Sequence, residues 1–198
     1  MPSIVKTAIQ IFTVQNHIQL LTLKQKSLLV SLPLLSTSKD TIARMIEIIK
    51  TKGKAAGLAA PQIGVNERII ICSFTCDVND LEIMINPTYV NNETIKEEGW
   101  EGCFSIPLTF AKVSRWKNID VSYYTLDGNL IKKQLHGFSA RVYQHECDHL
   151  EGILMTEPAS ELKIFTAEEE FNAFLQIVRQ ERESVIKRGI PAAKLCNS

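Results

Sequence analysis

The stretch Gln144-His145-Glu146-Cys147-Asp148-His149 carries the clearest signal in this sequence. His145 and His149 are four residues apart, so on a helix both imidazoles lie on one face and can reach one metal ion. Glu146 follows His145 directly and can stand beside that ion without binding it. The pattern is typical of metallohydrolases, and it predicts a metal-binding helix around which the rest of the chain is organised.

A catalytic metal site of this kind needs a third protein ligand and an open position for water. Cys147 lies two residues from each histidine, which directs its side chain away from their face. Cys103 is better placed, because it lies between a glycine that allows close backbone approach and a Ser-Ile-Pro turn. A lone cysteine beside Phe and Ile is more often a small core residue. The presence of the histidine pair in the same chain favours a metal-binding role for Cys103.

Three ordered motifs resemble those of the peptide deformylases, the family that removes the formyl group from the N-terminal methionine of new polypeptides. They are Gly57-Leu58-Ala59-Ala60-Pro61-Gln62, Glu101-Gly102-Cys103-Phe104-Ser105 and Gln144-His145-Glu146-Cys147-Asp148-His149-Leu150. The resemblance covers about residues 40–157 and includes the Gly137-Phe138-x-Ala140-Arg141 stretch before the helix. Two positions depart from the family pattern: Ala55 stands where the first motif usually begins with glycine, and Leu108 follows Pro107 where glycine is common.

The resemblance implies a metal-dependent hydrolase in which Cys103, His145 and His149 bind one divalent metal. It implies iron(II) in the cell, and zinc, nickel or cobalt can substitute because thiolate and imidazole suit all four. The implied reaction is hydrolysis of the formyl group by a metal-bound water or hydroxide, with N-formylmethionyl nascent peptides as substrates and the ribosome as a transient partner.

The same resemblance assigns roles to residues that do not bind the metal. Glu146 is implied to be the catalytic acid and base, and Gln62 and the backbone amide of Phe104 are implied to hold the oxyanion. Gly57 is implied to contact the substrate backbone. Without the resemblance, a loop-stabilising amide is the simpler interpretation of Gln62.

An apolar slot for the methionine side chain is predicted beside the metal. On a helix, Phe138 and Val142 continue the face of His145 and His149 towards the N-terminus at spacings of four, three and four. Ala56, next to the substrate-binding glycine, is small enough to leave room opposite them. We therefore expect Ala56, Phe138 and Val142 to line this slot.

Several polar residues near the motifs have structural interpretations. Glu101 and Arg115 are candidates for an ion pair that braces the Cys103 loop, and Asp148 is a candidate partner for the free ring N–H of a metal-bound histidine. His136 precedes a glycine and should lie at a strand end as a structural or surface residue.

Two rival functions stay open from the residues alone. A zinc endopeptidase would draw its third ligand from further along the chain, but no histidine follows His149. A glutamate such as Glu157, Glu168 or Glu169 would then have to serve. Alternatively, a binding protein could keep the fold while its N-terminal segment contacts a partner.

The composition predicts a single domain over residues 1–198 in a reducing, cytoplasmic and bacterial-type setting. The chain has 198 residues, 45% of them hydrophobic, with zero formal net charge, so nucleic-acid binding has no electrostatic footprint. The sequence contains no apolar run of 18 residues, so no membrane span is predicted. Residues 1–39 contain no acidic residue but also no arginine. They therefore fit an intact N-terminus better than an organelle transit peptide.

The predicted fold is α+β, a mostly antiparallel sheet packed around the metal-binding helix, with a C-terminal helix. The divergent segment 1–38 is read as short extended pieces. A helix should run from Asp40 to Gly53, and another should start at Thr166-Ala167 and bury a stripe of apolar residues. Strands are predicted at 68–74, 82–85, 89–98, 118–126 and 130–136, the last two forming a hairpin. The stripe comprises Phe171, Phe174, Leu175, Val178 and Val185.

Overall fold

Two antiparallel sheets and one central helix position everything that follows. The computed structural model describes residues 10–53, 55–91 and 93–189, without the side chains of Arg182 and of residues 185–189. Residues 1–9 of the predicted N-terminal segment, and the side chain of Val185 in the predicted stripe, lie outside that description. Among the described residues, no helix combines the length and the apolar composition needed to cross a membrane.

The order of elements alternates little, with strands and helices largely grouped. It runs α1 (His17–Leu23), α2 (Ser36–Lys52), β1 (Gly57–Ala59), a short 3-10 helix (Ala60–Ile63), β2 (Ile69–Cys72), β3 (Glu82–Val90), β4 (Lys96–Cys103), β5 (Ile106–Trp116), β6 (Asn118–Tyr124), β7 (Leu130–His136), α3 (Gly137–Leu150), β8 (Ala159–Ile164) and α4 (Glu168–Gly189). The first sheet has the strand order β1-β2-β3-β6-β7, and the second has the order β4-β5-β8. All pairings within them are antiparallel. The α+β prediction is confirmed.

Helix α3 lies between the two sheets and packs on β1, β2, β5, β6 and β7. Two of its inward residues, Tyr143 and Leu150, are fully buried, and they join a hydrophobic core formed with strands of the first sheet. The predicted hairpin delivers the chain to this helix, because β6 pairs with β7 from Tyr124↔Leu130 to Asn118↔His136. A helix enclosed in this way holds its polar residues in fixed positions away from bulk water.

The N-terminal prediction was wrong where α1 forms. Asn16 caps this helix, since its side-chain oxygen accepts hydrogen bonds from the N–H groups of Ile18 and Gln19. Its apolar residues do not share one face, because Leu23 is fully buried whereas Ile18 is 75% exposed. The helical period was therefore hidden. Helix α2 begins at Ser36, four residues before the predicted start, after a residue that supplies no side-chain cap.

The predicted strand over residues 89–98 was also wrong. Strand β3 continues through Pro87 to Val90, and β4 starts only at Lys96. The register shifts between Ile85 and Thr88, where Asn86 adopts a φ of +51° and its amide bonds the backbone N–H and C=O of Val30. This bulge keeps one strand running across residues that usually end a strand. Strands β5 and β8 were not predicted.

Candidate metal centre and active site

Three donor atoms converge where α3 meets the turn after β4. The Sγ of Cys103 lies 3.3 Å from Nε2 of His149, and one ligand atom each from Cys103, His145 and His149 lies within 4.8 Å of the others. The two imidazole rings, one helical turn apart, have centroids separated by 5.1 Å. Cys147 is buried in the core on another face of α3. One thiolate and two imidazoles are a donor set suited to a divalent transition metal.

Cys103 reaches this point because a tight hairpin ends β4. The turn contains only Phe104 and Ser105, with Cys103 paired to Ile106 and a register shift just before it. Gly102 eases the close approach, since a Cβ there would lie 3.1 Å from the ring of Phe110, which would have to shift by a few tenths of an ångström. The hairpin therefore presents the thiol at its tip, facing α3.

The charges around the three donors favour a thiolate at Cys103 and a protonated ring at His145. Partial removal from water would by itself raise the pKa of the Cys103 thiol, but the rings of His149 and His145 hold it well below its usual value. Burial likewise opposes protonation of His145, yet Cys103 and Glu101 raise its pKa well above the ordinary value. A cluster that binds positive charge this strongly is ready for a metal cation in place of protons.

Glu101 is the anchor of the imidazole of His145. Its carboxylate accepts from Nδ1 of His145 at 2.9 Å, from two nitrogens of Arg115 at 3.0 Å each and from Arg141 at 2.8 Å. Burial opposes ionisation of Glu101, but His145 and Arg115 hold its pKa well below the usual range. Because a carboxylate only accepts, Nδ1 must carry the proton, which leaves Nε2 free to coordinate.

The predicted ion pair between Glu101 and Arg115 is thus confirmed. Asp148 pairs with Arg115 and does not accept a hydrogen bond from His145. Asp148 therefore helps to hold the arginine that pairs with Glu101. His136, as predicted, lies at the end of β7, where its ring bonds Asn118 away from the cluster. Nδ1 of His149 is buried and has no hydrogen-bond partner among the described residues.

Glu146 points into the centre from the same helix. The residue is 4% exposed, and its Oε2 has no hydrogen-bond partner among the residues described. Burial raises the pKa of its carboxyl to about 7, an effect that the nearby rings of His145 and His149 moderate. Gly57 makes room for it, because a Cβ at that position would lie 2.4 Å from Oε1 of Glu146. A carboxyl poised near neutrality can both take and return a proton.

Gln62 lies across from Glu146 in the short 3-10 helix. Its Oε1 accepts the backbone N–H of Ala59 at 2.9 Å, so its NH₂ group must point the other way. Nε2 lies 3.2 Å from the hydroxyl of Ser105 and 3.4 Å from the thiol of Cys103. Phe104 follows Cys103 in the hairpin turn. Two sources of N–H donors therefore flank the thiol.

A cavity of about 440 Å³ opens onto these groups. Its walls include the three residues predicted to form the side-chain slot, Ala56, Phe138 and Val142, together with Gly57 and Glu146. The cavity also lies between two sheet edges, since β1 ends the first sheet and β4 ends the second. A second cavity of about 810 Å³, beside α2, meets the same hairpin tip at Cys103 and Phe104.

Helix α4 forms a wall that the sequence did not reveal. Phe171 and Phe174 pack on Phe110 with ring centroids 5.0 Å away in each case. On the next turns of α4, Leu175 and Val178 line the 440 Å³ cavity and are only half-buried. Their helical spacing predicted a stripe buried in the core. A helix that lines a cavity shows the same spacing of apolar residues, so the sequence could not distinguish a core-facing helix from a cavity wall.

Arg141 is the other residue of the site whose role was missed. Besides Glu101, its guanidinium donates to the carbonyl oxygens of Val113 and Glu97.

The glutamates considered as alternative ligands lie elsewhere: Glu157 pairs with Lys24 at 2.7 Å, and Glu168 and Glu169 are exposed on α4. The endopeptidase interpretation therefore has no third ligand from this group.

Comparisons with known proteins agree on one family. The family model described as Polypeptide deformylase matches residues 9–164. Peptide deformylase 2 of Rickettsia conorii is 35% identical over 172 residues, which are 81% of this chain and 85% of that protein. The crystal structure of peptide deformylase from Thermotoga maritima superposes with a TM-score of 0.69 at 32% identity, covering 77% of this chain and 98% of that one.

A second similar structure carries a ligand. The Acinetobacter baumannii class I type b peptide deformylase bound to Met-Ala-Ser superposes with a TM-score of 0.65 at 28% identity, covering 75% of this chain and 97% of that one. The match extends over most of both chains and includes both sheets and α3. The chain therefore belongs to the peptide deformylase family, metal-dependent hydrolases that remove the formyl group from the N-terminal methionine of new polypeptides.

Proposed function

We propose that Cys103, His145 and His149 hold one divalent metal and that Glu146 is the acid and base of deformylation. The observation that carries this assignment is the convergence of one thiol and two imidazoles within 4.8 Å, beside a buried carboxyl whose Oε2 has no hydrogen-bond partner in the described part of the chain. Glu101 supports it, because its hold on Nδ1 of His145 leaves Nε2 for the metal. When bound, such a metal supplies an activated water and polarises the carbonyl oxygen under attack.

Iron(II) is the metal we propose for the cell, with zinc, nickel or cobalt able to substitute. A thiolate with two imidazoles accepts all of these ions, so the donor set alone does not select among them. The choice of iron rests on the family resemblance of the three motifs.

Each catalytic group has a task that its surroundings support. Glu146 accepts the proton of the attacking water and gives it to the departing amine, a cycle that suits a carboxyl whose pKa burial raises to about 7. Gln62 and the amide of Phe104 donate to the oxygen on which negative charge develops. Support for Gln62 comes from its Oε1, which is engaged by Ala59 and so leaves the NH₂ group facing the thiol.

The substrate is proposed to bind as an extended strand along Gly57. Both β1 and β4 end their sheets at the cavity, so a peptide there can hydrogen-bond to strand edges. The ligand Met-Ala-Ser of the Acinetobacter baumannii enzyme is a peptide of this kind. We further propose that the chain acts as one domain in the cytoplasm and meets the ribosome only transiently. Its zero net charge gives no basis for direct nucleic-acid binding.

The methionine side chain is proposed to enter the slot formed by Ala56, Phe138 and Val142. Formyl-methionyl peptides should then exceed formyl-alanyl peptides at least about tenfold in kcat/KM, because losing a methylene or two from such a slot costs roughly 1–3 kcal/mol. Val142→Trp fills the slot and should erase most of this preference while leaving bound metal unchanged. Val90→Trp, at an exposed valine outside the cavity, is the matched control. A tryptophan variant at 142 that prefers methionine as strongly as the parent places the slot elsewhere.

The proposal as a whole is tested by purifying the protein without oxygen, counting metal per chain and measuring formate released from a formyl-methionyl peptide. We expect about one metal per chain and formate in step with the new amine. Stoichiometric metal without formate would instead support a binding protein, and cleavage of an internal bond in an unformylated peptide would support a peptidase.

A further inference from the structure

Residues 10–14 of the N-terminal segment run beside the two loops that carry the proposed oxyanion donors. The backbone N–H of Phe12 donates to the carbonyl oxygen of Gln62 at 2.7 Å. Two residues later, the N–H of Val14 donates to the carbonyl oxygen of Ser105 at 2.9 Å. Gln62 and Ser105 are 43 residues apart in the sequence. The segment therefore bridges, through its backbone, the 3-10 helix that carries Gln62 and the hairpin turn that carries Phe104.

The two carbonyl oxygens that accept these bonds belong to Gln62 and Ser105. The positions of these two residues determine where the proposed oxyanion donors lie. The side-chain nitrogen Nε2 of Gln62 donates to the hydroxyl of Ser105 at 3.2 Å and lies 3.4 Å from Sγ of Cys103. Ser105 directly follows Phe104, whose N–H is the second donor. A shift of either loop would change the distance between the carboxamide and that N–H.

The segment is itself held firmly. The N–H of Thr13 donates to the side-chain oxygen of Gln19 at 2.8 Å, and Asn16 caps the helix from which Gln19 projects. The ring of Phe12 covers Gly64 so closely that a Cβ there would lie 2.4 Å from Cζ. Gly64 also has a φ of +79°, so a glycine is required on both counts. The contacts on both sides leave the segment little freedom to move.

We infer that residues 12–14 are a positioning element that fixes Gln62 and Phe104 at the separation the developing oxyanion needs. Phe12 and Val14 do not line the 440 Å³ cavity, and they act through the backbone of the residues that carry the donors. This inference rests on the proposed roles of Gln62 and Phe104. It gives a task to a segment that lies before the three family motifs.

The test is to remove the two N–H groups with Phe12→Pro and Val14→Pro, since proline has no N–H to donate. Loss of a whole oxyanion donor lowers kcat by roughly 10²–10³, and a displaced donor keeps part of its effect. We therefore expect kcat for a formyl-methionyl peptide to fall about tenfold, with KM within about twofold of the parent. Bound metal should be unchanged. Gln10→Pro, in the same segment but without a described hydrogen bond at its N–H, is the control.

A double-mutant cycle separates positioning from general support. In a Gln62→Leu background, Phe12→Pro should lower kcat much less than it does in the parent, because the donor it positions is already absent. An equal loss in both backgrounds overturns the inference. Should the proline variants fail to fold, Phe12→Ala keeps the N–H but uncovers Gly64, and it should show the same non-additivity with Gln62→Leu. A parent chain that releases no formate refutes the proposed function instead.

Discussion

Replacing Glu146 by Gln is expected to lower formate release by roughly 10²–10⁴-fold while metal stays bound, as is usual when a general acid–base residue is lost. The amide preserves the shape of the side chain beside Gly57, where space is so short that a Cβ would lie 2.4 Å from Oε1. It cannot accept the proton of water or return it to the amine. The measurement is kcat for a formyl-methionyl peptide, together with metal counted per chain.

The control for this variant is Glu151→Gln, at the C-terminal end of the same helix. Glu151 pairs with Lys26 and Arg68, so its loss removes two ion pairs without reaching the donor cluster. Its turnover should stay within about twofold of the parent, as expected for a side chain outside the site. Near-normal formate release from Glu146→Gln would remove the assigned role from this carboxylate.

Cys103→Ala is expected to lower metal affinity by more than about 100-fold, since even the loss of a partner outside the ligand set costs roughly 10–100-fold. Cys147→Ala, which lies on α3 three residues before its end, should bind as much metal as the parent. Its side chain lies in the apolar core, so it should instead lower the free energy of unfolding by about 1 kcal/mol.

Both cysteine variants are best compared by titrating the metal-free protein with zinc and by thermal unfolding. The pair is matched, because each removes one sulfur near α3, yet only Cys103 lies 3.3 Å from Nε2 of His149. Equal loss of metal in the two variants would show that the wrong sulfur has been assigned.

The sequence predicted best those features that depend on spacing within one element. The i, i+4 histidines predicted which face of α3 meets Cys103, and Asp127-Gly128-Asn129 predicted the hairpin before it. Cys103 came from a contrast with Cys147, whose position on the helix excludes it. These inferences need only the geometry of a helix or a turn.

What the sequence could not supply is the relation between distant elements. The bond from Arg141 to Glu101 depends on how α3 crosses β4, and neither residue has a local pattern that specifies it. Strand β3 passes through Asn86 and Pro87 because Asn86 is bonded to Val30, 56 residues earlier. Tertiary partners of this kind override the local signal of a strand break.

The wall that α4 adds to the cavity has a consequence for when the reaction can occur. With Leu175 and Val178 on one side and the edges of β1 and β4 on the others, the cavity at Glu146 suits an extended amino terminus whose backbone groups are free to pair with strand edges. An amino terminus already built into a sheet or a helix has its backbone hydrogen-bonding groups engaged and cannot pair with these edges. Deformylation by this chain is therefore in a race with the folding of its own substrates, and a protein whose first residues fold early escapes it.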